Sequence, residues 1–87
     1  PVPGPVLHLA SFRSQDAAKK AWQEAMDRNK SLLSQVRPVI RRIDLGPERG
    51  VFYRLMAGPY ASLGAAETAC QSLKQNNQFC RASADGS

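Results

Sequence analysis

The sequence is poor in the residues that most often carry chemistry. It holds one histidine, two cysteines and seven acidic residues in 87 positions, and each shortage removes a class of function. His8 and two cysteines distant from it in the chain give neither the ligand number nor the spacing of a zinc site, so neither a metal nor another cofactor is expected. The acids Asp16, Glu24, Asp27, Asp44, Glu48, Glu67 and Asp85 fall on expected helix exteriors, turns and the tail. No two of them converge, whereas glycan cleavage takes paired carboxylates roughly 5–10 Å apart. Long apolar runs are missing as well: the longest is a few residues, against the roughly 20 of a membrane-spanning helix. No basic leader precedes an apolar stretch, so the segment reads as soluble, with any targeting signal or anchor expected upstream of it.

What the chain has in excess is positive charge and, at one end, proline. Twelve Lys and Arg against seven Asp and Glu give a net charge of +5, which favours anionic partners without choosing among nucleic acid, anionic lipid and acidic polysaccharide. Arg37, Arg41, Arg42 and Arg49 gather around one expected strand and its turn. They equally suit a solvated edge strand whose charge discourages pairing with another sheet. Pro1-Val2-Pro3-Gly4-Pro5 reads as the remnant of a proline-rich linker over residues 1–5, which leaves one domain over 6–83 and a disordered tail over 84–87. A domain this small buries only about 60–65% of its unfolded surface. Cys70 and Cys80, an even pair in a short chain, suit a stabilising disulfide made in an oxidising compartment. Two buried thiols acting as small apolar residues are the alternative.

Hydrophobic period sets the element order. Leu7 and Leu9 mark a strand over residues 6–11 with one buried face. Ser14 is a good N-cap, and Ala18, Ala21, Trp22, Ala25 and Met26 then form one helical stripe out to about Asn29. Leu32, Leu33 and Val36 suggest a further turn before Pro38. Val39, Ile40, Ile43 and Leu45 read as a second strand, residues 46–50 as a loop, and residues 51–57 as a third strand antiparallel to the second. Gly58-Pro59 stops that strand, and Ser62 caps a second helix whose apolar side is Ala66, Ala69, Cys70 and Leu73. Asn76-Asn77 ends the helix, and residues 79–83 supply a fourth strand. The order is β-α-β-β-α-β, an α+β plan of the ferredoxin or RNP type: a four-stranded, antiparallel-rich sheet with two helices on one face. Alternation directs Leu7, Leu9, Leu55, Ala57, Cys80 and Ala82 to the helices, and His8, Arg54, Met56, Phe79 and Arg81 to the open face. Cys80 then lies under the helix that carries Cys70. His8 lies on the other side of the sheet, which leaves no Cys–His pair for nucleophilic catalysis, and the chain is not expected to be an enzyme.

Three segments carry a likeness beyond the fold. Leu7-His8-Leu9-Ala10-Ser11-Phe12, Tyr53-Arg54-Leu55-Met56-Ala57-Gly58-Pro59-Tyr60, and Cys70-Gln71-Ser72-Leu73-Lys74 with Cys80 follow one another with Leu45-Gly46 and Gly50 between them. In that order they resemble the SPOR (sporulation-related repeat) family of peptidoglycan-binding domains over residues 6–83. The first resembles the family's opening strand, the second its third strand, and the last those members that have a cysteine pair. His8 stands where Gln is usual, Ala10 where Gly is usual and Tyr60 where Phe is usual.

The resemblance implies binding of glycan strands denuded of their stem peptides, in the periplasm or cell envelope, where a parent protein would be brought to the division septum. Such strands expose sugar C–H faces that suit aromatic and thioether surfaces, hydroxyls that suit hydrogen-bonding groups, and a lactyl carboxylate that suits a guanidinium. Arg54 and Arg81 are the candidates for the carboxylate, Phe12, Met56, Tyr60 and Phe79 for apolar contact, and His8 and Ser11 for hydrogen bonding. Phe12 and Tyr60, just past strand ends, equally suit lids on the core, and Arg54 a cross-strand ion pair. An RNP-like nucleic-acid module stacks bases on rings of its central strands. Here only Phe52 offers a ring on that parity, so nucleic acid is not an expected partner. Direct membrane contact by this domain is not expected either, whatever anchors a parent protein. A protein-interaction module is the alternative, because this fold hosts many functions.

Overall fold

The computed structural model describes residues 4–85, in the order β1 (Val6–Phe12), α1 (Gln15–Arg28), α2 (Lys30–Leu33), β2 (Arg37–Asp44), β3 (Val51–Gly58), α3 (Leu63–Gln75) and β4 (Arg81–Ser83). Both long helices start as expected. The Ser14 and Ser62 hydroxyls accept the backbone N–H groups of Ala17 and Ala65, each at 3.1 Å, satisfying donors that a helix start leaves without partners. From there Ala18, Trp22 and Ala25 of α1 and Ala66, Cys70 and Leu73 of α3 are the buried positions. Asn77 ends α3 by taking a left-handed backbone (φ 62°), which lets its own N–H and that of Gln78 close onto the carbonyls of Lys74 and Leu73. The turn expected before Pro38 is α2, with Leu33 buried. Asn29, buried between α1 and α2, donates to the Ala25 carbonyl and accepts from Asn76 Nδ2, each at 3.0 Å. That chain joins the ends of α1 and α3 and leaves the buried amide satisfied.

The sheet runs β2-β3-β1-β4 with every neighbouring pair antiparallel, so the β-α-β-β-α-β plan holds. β2 lies at an edge, where the missing N–H of Pro38 is tolerated, and Arg37 and Arg42 are exposed along it. On the helix side Leu7, Leu9, Leu55, Ala57 and Cys80 join Trp22, Ala25, Leu33, Ala66, Cys70 and Leu73 in one core. Each buried leucine contributes about 1.5–3 kcal/mol against leaving it in water. Cys70 and Cys80 are joined by a disulfide, Cα to Cα 5.5 Å, which ties α3 to the start of β4. At Gly58 an added Cβ would stand 2.8 Å from Val6 Cγ1 and 3.2 Å from the Pro5 carbonyl, so only glycine fits. The same Pro5 carbonyl accepts the Tyr60 N–H at 2.8 Å. Pro5 of the expected linker is therefore already in contact with the domain. Residues 1–3 of that linker, and residues 86–87 of the expected tail, lie outside the described residues.

The alternation is corrected in three places. First, β1 carries a bulge: Leu7 and His8 pair with Ala57 and Met56, but Ala10, Ser11 and Phe12 pair with Leu55, Arg54 and Tyr53. One extra residue on β1 therefore shifts the side of everything after Leu9. Second, Met56 keeps no solvent-exposed surface, although it is on the open side. It sits in a central strand between Val39 of β2 and His8 of β1, and alternation assigns a side of the sheet, not an exposure. Third, β4 is shorter than residues 79–83; only Arg81–Ser83 pairs with β1, and Phe79 stands free of the ladder.

Candidate functional site

The open side of the sheet is laid out by β1 and β3. His8 faces Met56 in one row, and past the bulge Ser11 faces Arg54 in the next. On the other flank of β1, Arg81 of β4 pairs with His8, and Phe79, just before β4, is 67% exposed. These side chains border an open depression of about 260 Å³ lined by His8, Ala10, Ser11, Arg54, Phe79 and Arg81. Ala10 lines it as well, at the bulge, although its partner across the ladder is Leu55 of the helix-side core. The bulge brings Ser11 into the depression, since uninterrupted alternation from Leu7 and Leu9 would have turned Ser11 toward the helices.

The depression is cationic. Arg54 on β3, its neighbour Arg41 on β2 and Arg81 on β4 all lie on this side. No acidic residue shares it on β1, β2 or β3, where the open-side positions are Val6, His8, Ser11, Arg37, Val39, Arg41, Ile43, Phe52, Arg54, Met56 and Gly58. Among the described residues neither Arg54 nor Arg81 is held in an ion pair, so the cross-strand pairing open to Arg54 is not made. Burial first, and then the charges of Arg54 and Arg81, hold the His8 imidazole below its ordinary pKa. It is neutral at neutral pH, with one ring nitrogen to donate and one to accept. Arg81 also borders a second, smaller hollow of about 190 Å³ with Glu67, Gln71 and Lys74 of α3. That hollow is walled by the helix and carries its own carboxylate.

His8, Ser11, Arg54, Phe79 and Arg81 are thus brought together, and Phe12, Tyr60 and Met56 are not. Phe12 and Tyr60 pack against the helix-side core, as lids on it. The Tyr60 hydroxyl is buried without a hydrogen-bond partner, and burial pushes its pKa up. Met56, without exposed surface, supports the floor and cannot touch a ligand in this arrangement. Ala10 is the lining residue that sequence reasoning did not select; the one signal for it is its place where the resembled family usually has glycine. Among the described residues no group of three or more His, Cys, Asp and Glu is placed to hold a metal ion, and no helix is long and apolar enough to cross a membrane.

What the arrangement can do is hold an anion between guanidinium groups while an exposed ring lies alongside. Arg forms short, charge-assisted and often bidentate hydrogen bonds with a carboxylate, and Phe79 offers a flat apolar surface at the edge. Comparison with known proteins bears on the kind of ligand. No curated protein and no solved structure matches the chain, but the model of the SPOR domain family matches residues 3–82. The chain belongs to the SPOR domain family, a family of peptidoglycan-binding domains associated with the cell envelope.

Proposed function

We propose that this domain binds peptidoglycan glycan strands denuded of their stem peptides, and by doing so brings a parent protein to the division septum. The observation that supports this most directly is the pairing of unneutralised cations with an exposed ring in one depression: Arg54 and Arg81 beside His8 and Ser11, with Phe79 at the rim. A glycan strand whose lactyl groups have lost their peptides carries free carboxylates; one that keeps its peptides carries amides there. The guanidinium groups favour the first, and the sugar C–H face lies against Phe79. His8 and Ser11 supply hydrogen bonds to hydroxyl groups. Nothing in this set cleaves a bond, and the domain acts by binding alone. Affinity for a single short fragment is modest, because an open depression covers little of its ligand.

The test is co-sedimentation of the purified domain with sacculi, before and after an amidase strips the stem peptides, with Arg54→Ala and Phe79→Ala alongside. The expected outcome is stronger pelleting on stripped sacculi, reduced roughly tenfold in apparent affinity by Arg54→Ala, the scale of one charged hydrogen bond. Equal pelleting on both preparations, or full binding by both variants, would overturn the reading.

A further inference from the structure

The bulge in β1 also determines where Arg13 goes. Past it, Arg13 follows Ser11 on the open side, and its guanidinium lies 4.2 Å from the centre of the Phe52 ring. Its Nη1 donates to the Arg49 carbonyl at 3.2 Å. Gly50, at φ +86°, makes the space for this: a Cβ there would stand 3.0 Å from Arg13 Nη1. Ring, carbonyl and glycine together hold a long surface side chain in one place, which removes rotamer freedom before any ligand arrives. A guanidinium has five N–H donors, and this contact uses one. Beside it is a second open hollow of about 350 Å³, lined by Arg13, Leu45, Glu48, Arg49 and Phe52, with Leu45 44% exposed. Two cations there stand against the single Glu48.

The two hollows share no lining residue, but they are neighbours along β1 and β3. Phe52 is two residues from Arg54 on the same side of β3, or about 7 Å, and four residues from the row of His8, or roughly 13 Å at strand rise. We propose that Arg13 and Phe52, with Leu45, form a second carboxylate-accepting subsite, so that the domain's proper ligand is a glycan several sugars long whose recurrent carboxylates reach both hollows at once. The proposal rests on the glycan reading above and adds its minimum length and direction: along β1 and β3, from Phe79 and Arg81 toward the loop 45–50. Arg13, held over the Phe52 ring, receives the second carboxylate, and Leu45 meets an apolar sugar face.

The test compares labelled, peptide-free glycan fragments, a disaccharide and an octasaccharide, by fluorescence anisotropy at one salt concentration. Wild type is expected to bind the octasaccharide about tenfold more tightly than the disaccharide, beyond the few-fold gain from the larger number of binding registers. Arg13→Gln and Phe52→Leu are expected to reduce that advantage to the few-fold statistical part, with disaccharide affinity and thermal midpoint unchanged. If both variants keep the full advantage while Arg54→Ala weakens disaccharide binding, the second subsite falls and the glycan reading stands. If neither fragment binds, and Arg54→Ala changes nothing, both fall together.

Discussion

The helix side of the sheet and its open side are made from the same four strands, yet they are specified differently. On the helix side a residue only has to be apolar and point inward: Leu7, Leu9, Leu55 and Ala57 meet Trp22, Ala25 and Leu73, and a modest error in position is absorbed by repacking. On the open side position along the strand matters as well, because His8, Ser11, Arg54 and Arg81 act on one ligand only if they share neighbouring rows. The first requirement can be read as a pattern of residue types. The second depends on strand register, which the bulge at Leu9 changes.

Met56 is where this contrast is most easily broken. It lies on the open side but has no exposed surface, so Met56→Ala is expected to act like a core substitution and lower stability by about 2–5 kcal/mol, as Leu55→Ala should on the helix side. Urea denaturation of the two variants checks it. A near-neutral Met56→Ala would restore a simple division into a core face and a surface face.

The disulfide sharpens the comparison from the other direction, since it joins helix-side Cys70 to the segment that presents Phe79 and Arg81. Replacing both cysteines by serine is expected to cost about 2.5–3 kcal/mol on the chain-entropy estimate for a loop of this length. It should also weaken glycan binding at temperatures where the variant is still folded, because β4 pairs with β1 over only three residues. Denaturation with and without reductant measures the first effect and sedimentation the second. A variant that loses stability but keeps full binding would show that the two sides are independent.

The smallest effect belongs to His8. Its folded pKa is depressed, so above the unfolded value near 6.5 it is neutral in both states and stability does not depend on it. As pH falls through that value toward the folded one, the unfolded chain takes up the proton first and stability declines slightly. A carboxylate bound beside Arg54 and Arg81 opposes their charges and raises the His8 pKa. Binding is therefore expected to tighten as pH falls from 7 toward 5.5. NMR titration of the single imidazole, free and glycan-bound, reads this directly. Coincident midpoints would place the carboxylate elsewhere.

Much of the fold was legible because its signals are local. Ser14 and Ser62 cap, the Ala/Trp and Ala/Cys/Leu stripes repeat at helical spacing, Asn76-Asn77 ends α3, and Gly58-Pro59 stops β3. The candidate site was legible where a residue's side follows from alternation within one uninterrupted strand, as for His8, Arg54 and Arg81. It was not legible at Met56, whose cover is a tertiary fact, nor at Ala10, Arg13 and Phe52, which meet their partners through the bulge and the loop 45–50. The likeness to a family placed Ser11 at the site, and alternation alone would have turned it inward.

That bulge is a change of phase in β1. Before it odd-numbered residues, Leu7 and Leu9, point to the helices; after it an even-numbered one, Phe12, does so, and Ser11 and Arg13 emerge on the far side. The strand is thus read in two frames, and its length between His8 and Ser11 is constrained more tightly than its composition. A side-chain change there adjusts the rim of one hollow. Adding or removing a single residue would exchange the frames, putting Phe12 on the outer surface and Ser11 and Arg13 into the core, and would turn the binding face inside out without changing any other part of the chain.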